Sequence, residues 1–155
     1  MNTCLFSLPI EPLIPGVRYR QLLMHCTAVY WFRIDRIDEL RARTKVLVQN
    51  FRYIELKSTG RGMFGLNNDV PVATIEHTDE LDRLHTELID LVSDLDGQHT
   101  YPEWIGTWYK PHVSDVSGKP FCCERGYPVK QLALVRKGPE PEVCKTVVEL
   151  FELGR

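Results

Sequence analysis

Tyr109-Lys110-Pro111-His112-Val113-Ser114 closes on a His-x-(Ser/Thr) triplet, and a second triplet of the same form, His25-Cys26-Thr27, stands near the start of the chain. Side chains on a β-strand repeat every two residues, so each histidine shares a face with its hydroxyl partner, roughly 7 Å away along the chain. Two such strands side by side would line one cleft with two imidazoles and two hydroxyls. Pro111 holds Lys110 in extended backbone, which suits entry into a strand at His112. The other histidines, His77, His85 and His99, have neither Ser nor Thr two positions on. His85 falls within a helical pattern and is expected to be a packing or surface residue.

The chain has 155 residues, a length that suits one domain, residues 1–155, with a single sizeable core. A formal net charge of −2 excludes a broad electrostatic commitment to long nucleic acid, so any phosphate binding must be local. No apolar run approaches the ~18 residues needed to cross a bilayer. Met1 to Pro15 is apolar in part, but it lacks a basic start and is interrupted by Pro9, Pro12 and Pro15. The expectation is a soluble, monomeric, cytoplasmic protein with no membrane partner. Five cysteines, an odd count without framework spacing, are expected as free thiols. Adjacent Cys122 and Cys123 seldom turn both sulfurs toward one tetrahedral metal, so neither a metal site nor a cofactor is assigned.

Outward from the motifs, residues 3–8 are expected to form a strand and Leu22 to Phe32 a buried central strand. Strict alternation along that strand sets Met24, Cys26, Ala28 and Tyr30 on one face and Leu23, His25, Thr27, Val29 and Trp31 on the other. A first helix is expected with Asp35 as N-cap and a core stripe of Ile37, Leu40, Thr44 and Leu47. Phe51 to Lys57 is expected as a strand, Ser58-Thr59-Gly60-Arg61-Gly62 as a turn, and Met63–Leu66 and Val70–Glu76 as strands around an Asn67-Asn68-Asp69 turn. Thr78 is the expected N-cap of a second helix carrying Leu81, Leu84, Leu88, Leu91, Val92 and Leu95, with Gly97 ending it. A loop with Pro102, Trp104, Gly106 and Trp108 leads to the second motif. Gln131–Arg136 and Thr146–Leu153 are expected as strands around a Gly138-Pro139-Glu140-Pro141 loop. The order motif strand, helix, further strands is expected to recur coarsely in the two halves.

These features resemble the 2H phosphoesterases, which include bacterial 2′-5′ RNA ligase-like proteins and cyclic phosphodiesterases. That family carries one His-x-(Thr/Ser) motif in each half of the chain, matched here by His25/Thr27 and His112/Ser114. Tyr109 to Ser114 is similar to its aromatic-x-Pro-His-x-Thr segment, and Leu84-His85-x-x-Leu88 to the helix before its second motif. Ser114 replaces the commoner threonine, and Asp115 stands where the family prefers an apolar residue. The resemblance implies an α+β, bilobal fold with two pseudo-symmetric lobes. Two antiparallel sheets would flank a central cleft, with the helices outside.

In the activity that the resemblance implies, one histidine is base and the other acid toward a phosphodiester, and Thr27 and Ser114 donate to its non-bridging oxygens. No metal is required. Trp31, Phe64, Trp104, Trp108 and Tyr109 are candidates to stack on a base, and Arg61, Lys110 and Lys119 to meet phosphates. The expected substrate is a small nucleotide or short oligonucleotide. Family members act on 2′,3′-cyclic phosphates, 2′-5′ linkages and cyclic oligonucleotide signals, and short single-domain forms in viruses resemble enzymes that destroy immune messengers, acting in the host cytoplasm. Two other readings use the same residues: a catalytically silent module that sequesters a nucleotide or RNA end, and an interaction domain in which His25 and His112 are satisfied core residues.

Overall fold

The apolar run around the first motif becomes the strand on which the molecule is built. The computed structural model describes residues 1–139 and 144–154, so the expected Gly138–Pro141 loop lies partly outside the described residues. Among the described residues, eleven strands and two α-helices follow in the order β1 (Asn2–Pro9), β2 (Arg18–Tyr19), β3 (His25–Ile34), α1 (Ile37–Leu47), β4 (Ile54–Leu56), β5 (Ser58–Phe64), β6 (Val70–Ile75), α2 (Asp79–Asp94), β7 (Gln98–His99), β8 (His112–Ser114), β9 (Tyr127–Val129), β10 (Gln131–Lys137) and β11 (Lys145–Glu152). Nine strands form one antiparallel sheet in the order β2-β11-β10-β1-β3-β8-β6-β5, with β7 also on β3, while β4 and β9 make a second, two-stranded sheet. The fold is α+β, as expected.

The large sheet consists of two half-sheets joined where β3 meets β8, and the one register pair there is Cys26 opposite Val113. The two motif strands are therefore the two strands of the seam. Behind the seam, Cys26, Ala28, Phe32 and Val113 pack with Phe6 and Leu134 against Leu40 of α1 and Leu81, Leu84 and Leu88 of α2. Burying one such leucine contributes about 1.5–3 kcal/mol, and this cluster is the main source of stability. The alternate residues of β10, Ala133 and Val135, join Leu5 and Val147 in a smaller cluster covered by Leu13 and Leu22.

The helix signals differ in outcome. Thr78 caps α2, its hydroxyl oxygen accepting the Leu81 N–H at 3.1 Å. Gly97 closes it, its N–H donating to the Val92 carbonyl at 2.9 Å. At α1 the N-cap is Arg36 rather than Asp35, and no side chain caps it. Arg36 instead forms a two-pronged pair with Glu39 at 3.0 and 2.6 Å, while Asp35 faces the chain's amino terminus at 3.6 Å.

Four expectations are corrected. The expected Ser58–Gly62 turn is the first part of β5, where Gly60 and Gly62 lie opposite Thr74 and Val72 of β6. Small residues signal a turn by composition, but here a partner strand satisfies their backbone. Phe51 is not in a strand: it follows a 3₁₀ turn at Val48–Asn50, and β4 begins only at Ile54. The coarse repeat also fails in order, since α1 follows its motif strand whereas α2 precedes β8. Finally, β3 begins at His25 rather than Leu22, and strict alternation does not hold along it. The register with β1 slips twice, between the pairs Cys4–Phe32, Phe6–Val29 and Ser7–Thr27. Ala28 and Val29 are consequently both fully buried.

Candidate active site

Extending the Cys26–Val113 pair one residue each way sets His25 opposite Ser114 and Thr27 opposite His112. Directly opposed side chains share a face with Cβ atoms about 4.5–5.5 Å apart, so the four candidates form a square with each imidazole across from a hydroxyl. All four are partly buried. Across the next strand Thr74 lies opposite His112 and Val72 opposite Ser114, and then come Gly60 and Gly62.

Each histidine is oriented by its own strand entry. His25 Nδ1 lies 2.7 Å from the Leu23 carbonyl, and His112 Nδ1 lies 2.9 Å from the Lys110 carbonyl. A carbonyl only accepts, so both Nδ1 atoms carry the proton and both Nε2 atoms remain for chemistry. The shared i−2 contact is a local consequence of a histidine starting a strand. Burial holds His25 below the ordinary imidazole range, opposed by the Leu23 contact and reinforced by the charges of His112 and Lys145. Burial likewise lowers His112, opposed by the Lys110 contact.

Beside His112, and away from His25, opens a cavity of about 450 Å³ lined by Tyr30, Phe64, Trp104, Trp108, Lys110 and Ser114, with Asn68 on the hairpin tip. The Phe64 ring lies 4.2 Å from the His112 ring, and Tyr30 meets Trp104 edge-on at 4.9 Å. Trp108 is 67% exposed, so its indole is available to a ligand.

The sequence candidates separate here. Phe64, Trp104, Trp108 and Lys110 line the cavity. Tyr109 does not: it is 1% exposed, and its hydroxyl donates to the Thr27 carbonyl at 2.8 Å. Its position beside the motif made it resemble a stacking residue, but alternation turns it into the core. Arg61 is committed to Asp115, which it meets through two nitrogens at 2.9 and 2.7 Å. That pairing holds the Asp115 carboxyl below its usual range and accounts for a charged residue at this position. Trp31 packs partly buried on the smaller apolar cluster with Leu13 and Leu22, outside the cavity. Lys119 is exposed in a two-bond hairpin with Val116 and also lies outside it.

Two residues gain importance that the sequence did not give them. Tyr30, which strict alternation placed away from His25, has its hydroxyl 3.1 Å from His112 Nδ1 and 3.3 Å from the Lys110 carbonyl. Only the register slips in β3 permit this, and no sequence signal marks them. His85 is 2% exposed, with Nδ1 2.7 Å from the Ala28 carbonyl and Nε2 accepting the Gly106 N–H at 3.0 Å. Its ring stacks on Tyr109 at 4.0 Å. His85 thus ties α2 both to the first motif strand and to the turn between Trp104 and Trp108, and burial holds it neutral.

No protein-family model and no curated protein matches this sequence. Solved structures do. LigT of E. coli, in a complex with NADP+, is 13% identical, with a TM-score of 0.61 over 99% of this chain and 98% of that one. A protein described as a phosphoesterase is 13% identical with a TM-score of 0.64 over 99% of both chains. A protein of Thermus thermophilus is 21% identical with a TM-score of 0.62 over the whole of both. LigT has also been crystallised with 3′-AMP, ATP and phosphate. At these identities the likeness concerns the fold, and it is end to end: this chain shares its α+β fold with LigT and with the protein described as a phosphoesterase.

Proposed function

We propose that this protein is a phosphodiesterase that cleaves a cyclic, 2′-5′ or 3′-5′ phosphodiester in a small nucleotide or short oligonucleotide. The observation that carries this reading is the square of His25, Thr27, His112 and Ser114, in which both imidazoles anchor Nδ1 and leave Nε2 free. A neutral imidazole takes a proton from water or a ribose hydroxyl, while a protonated one on the other side of the phosphate gives a proton to the departing oxygen. Thr27 and Ser114 donate to the non-bridging oxygens as charge builds in the transition state. The two histidines supply both proton transfers, so the mechanism needs no metal.

The cavity beside His112 supports a substrate that carries a base. Its volume of about 450 Å³ suits one nucleobase, its walls are aromatic, and exposed Lys110 brings a cation to the rim. The nucleotides held by LigT are of this chemical class. With a net charge of −2 the surface does not favour long nucleic acid, and short oligomers, including cyclic immune messengers, fit it better. Incubation with 2′,3′-cyclic nucleotides, 2′-5′ oligoadenylates and cyclic di- and trinucleotides, read by chromatography, tests the proposal. Turnover of at least one is expected. Binding without turnover across the panel would instead make the cleft a sequestering module.

A further inference from the structure

Resting on the phosphodiesterase reading, we infer that the two histidines are not interchangeable: His112 is the acid, His25 is the base, and the Tyr30 hydroxyl sets this division. The Lys110 carbonyl at 2.9 Å requires the proton of His112 on Nδ1. Tyr30 can then only accept from that N–H at 3.1 Å, and it sends its own proton to the same carbonyl at 3.3 Å. The Nδ1–H of His112 therefore has two acceptors, an arrangement that favours the imidazolium and opposes the burial that lowers this histidine. The Phe64 ring 4.2 Å away adds a π-system that attracts a cation. His25 has one acceptor, the Leu23 carbonyl, and burial together with the positive charges of His112 and Lys145 opposes its protonation.

The remaining titratable groups leave this asymmetry intact. Cys26, on β3 between the motif residues, is pushed up to about 12 by burial and stays a thiol. Tyr30 and Tyr109 are also raised by burial and keep their protons. Lys110 is exposed at the cavity rim, and the facing residues of β5 and β6, Phe64 and Thr74, do not titrate.

In the resulting step His25 Nε2 takes a proton from water, and the water oxygen bonds to phosphorus as the bond to the leaving oxygen breaks. His112 Nε2–H protonates that oxygen. The step ends with His25 protonated and His112 neutral, and exchange of one proton with solvent restores the pair. Tyr30 never touches the phosphate in this scheme and is a positioning residue.

Two measurements test the assignment. The first is the pH profile of kcat/KM for wild type and Tyr30→Phe, which keeps the ring and removes the second acceptor. The descending limb is expected to move about one unit toward acid with the ascending limb unchanged. Movement of the ascending limb, or of neither, would overturn the assignment. A titration of the His112 ring by NMR in the same variant, without substrate, checks that it is folded and should show the same acid shift.

The second measurement compares a nucleoside 3′-(4-nitrophenyl phosphate), whose leaving group needs no protonation, with a dinucleoside phosphate. His112→Ala should retain most of its activity on the nitrophenyl ester and lose it on the dinucleotide, whereas His25→Ala should lose both. The reverse pattern would overturn the roles. A wild-type protein inactive on both esters and on the wider panel would overturn the phosphodiesterase reading itself.

Discussion

The two motif strands carry the same triplet and the same i−2 anchor, yet the protein supports them differently. β3 has ten residues and pairs with β1 along most of its length, whereas β8 has three, paired with β3 at one position and with β6 at all three. His112 is surrounded by rings, Tyr30 and Phe64, and opens onto a cavity; His25 has a backbone carbonyl as its partner and feels the charges of His112 and Lys145. The local sequence sets the orientation of each imidazole, while the tertiary surroundings decide what each can do. One half of the cleft opens onto an aromatic-walled cavity, and the other is backed by the long pairing of β3 with β1.

The largest effect should come from the imidazoles. His25→Ala and His112→Ala are each expected to lower kcat/KM on a natural phosphodiester by about 10²–10⁴, measured in steady state. Equal and small losses would remove the comparison altogether. The hydroxyls come next: Thr27→Val and Ser114→Ala should each cost about 10²–10³ in kcat with KM nearly constant, since they act as charge develops. A change confined to KM would make them ground-state contacts. Trp108→Ala tests the proposal that the cavity beside His112 holds a base. It should raise KM by about tenfold, with kcat little changed, for substrates that carry a base, in line with the ~1–3 kcal/mol of one stacking contact. An unchanged KM would place the base elsewhere.

The smallest catalytic effect, but a clear one on stability, is expected at His85. Removing it orphans the Ala28 carbonyl and the Gly106 N–H and opens a cavity, so His85→Ala should destabilise by about 2–4 kcal/mol in denaturant unfolding. His85 also fixes a sign. Because burial lowers its folded-state pKa below the unfolded value of about 6.5, its contribution is fully present above that pH and is lost as pH falls through the folded value. The acid-side slope of stability should therefore be shallower in His85→Ala than in wild type.

Much of this architecture was legible in the sequence because it rests on local rules. The Thr78 cap, the leucine stripe of α2 and the strand around His25 each follow from periodicity and capping. The square of motif residues follows from two copies of one triplet and a two-residue repeat. What was not legible depends on register. The slips in β3 carry Tyr30 to His112, and no composition signal marks them. Arg61 and Tyr109 resembled ligand contacts because they are charged or aromatic and near the motif, but Asp115 and the core claim them. In Ser58–Gly62, glycines that favour a turn by composition were overruled by a partner strand.

The central claim, that a neutral and a protonated imidazole act as a pair on a phosphodiester, is tested most directly by the pH dependence of kcat/KM in the presence of a metal chelator. Burial lowers both histidines in the free protein, so the productive singly protonated pair is most populated below about pH 6.5. The expected result is a bell with its maximum on the acid side of that value, undiminished by the chelator. A profile flat from about pH 5 to 9, or activity abolished by the chelator, would contradict the account.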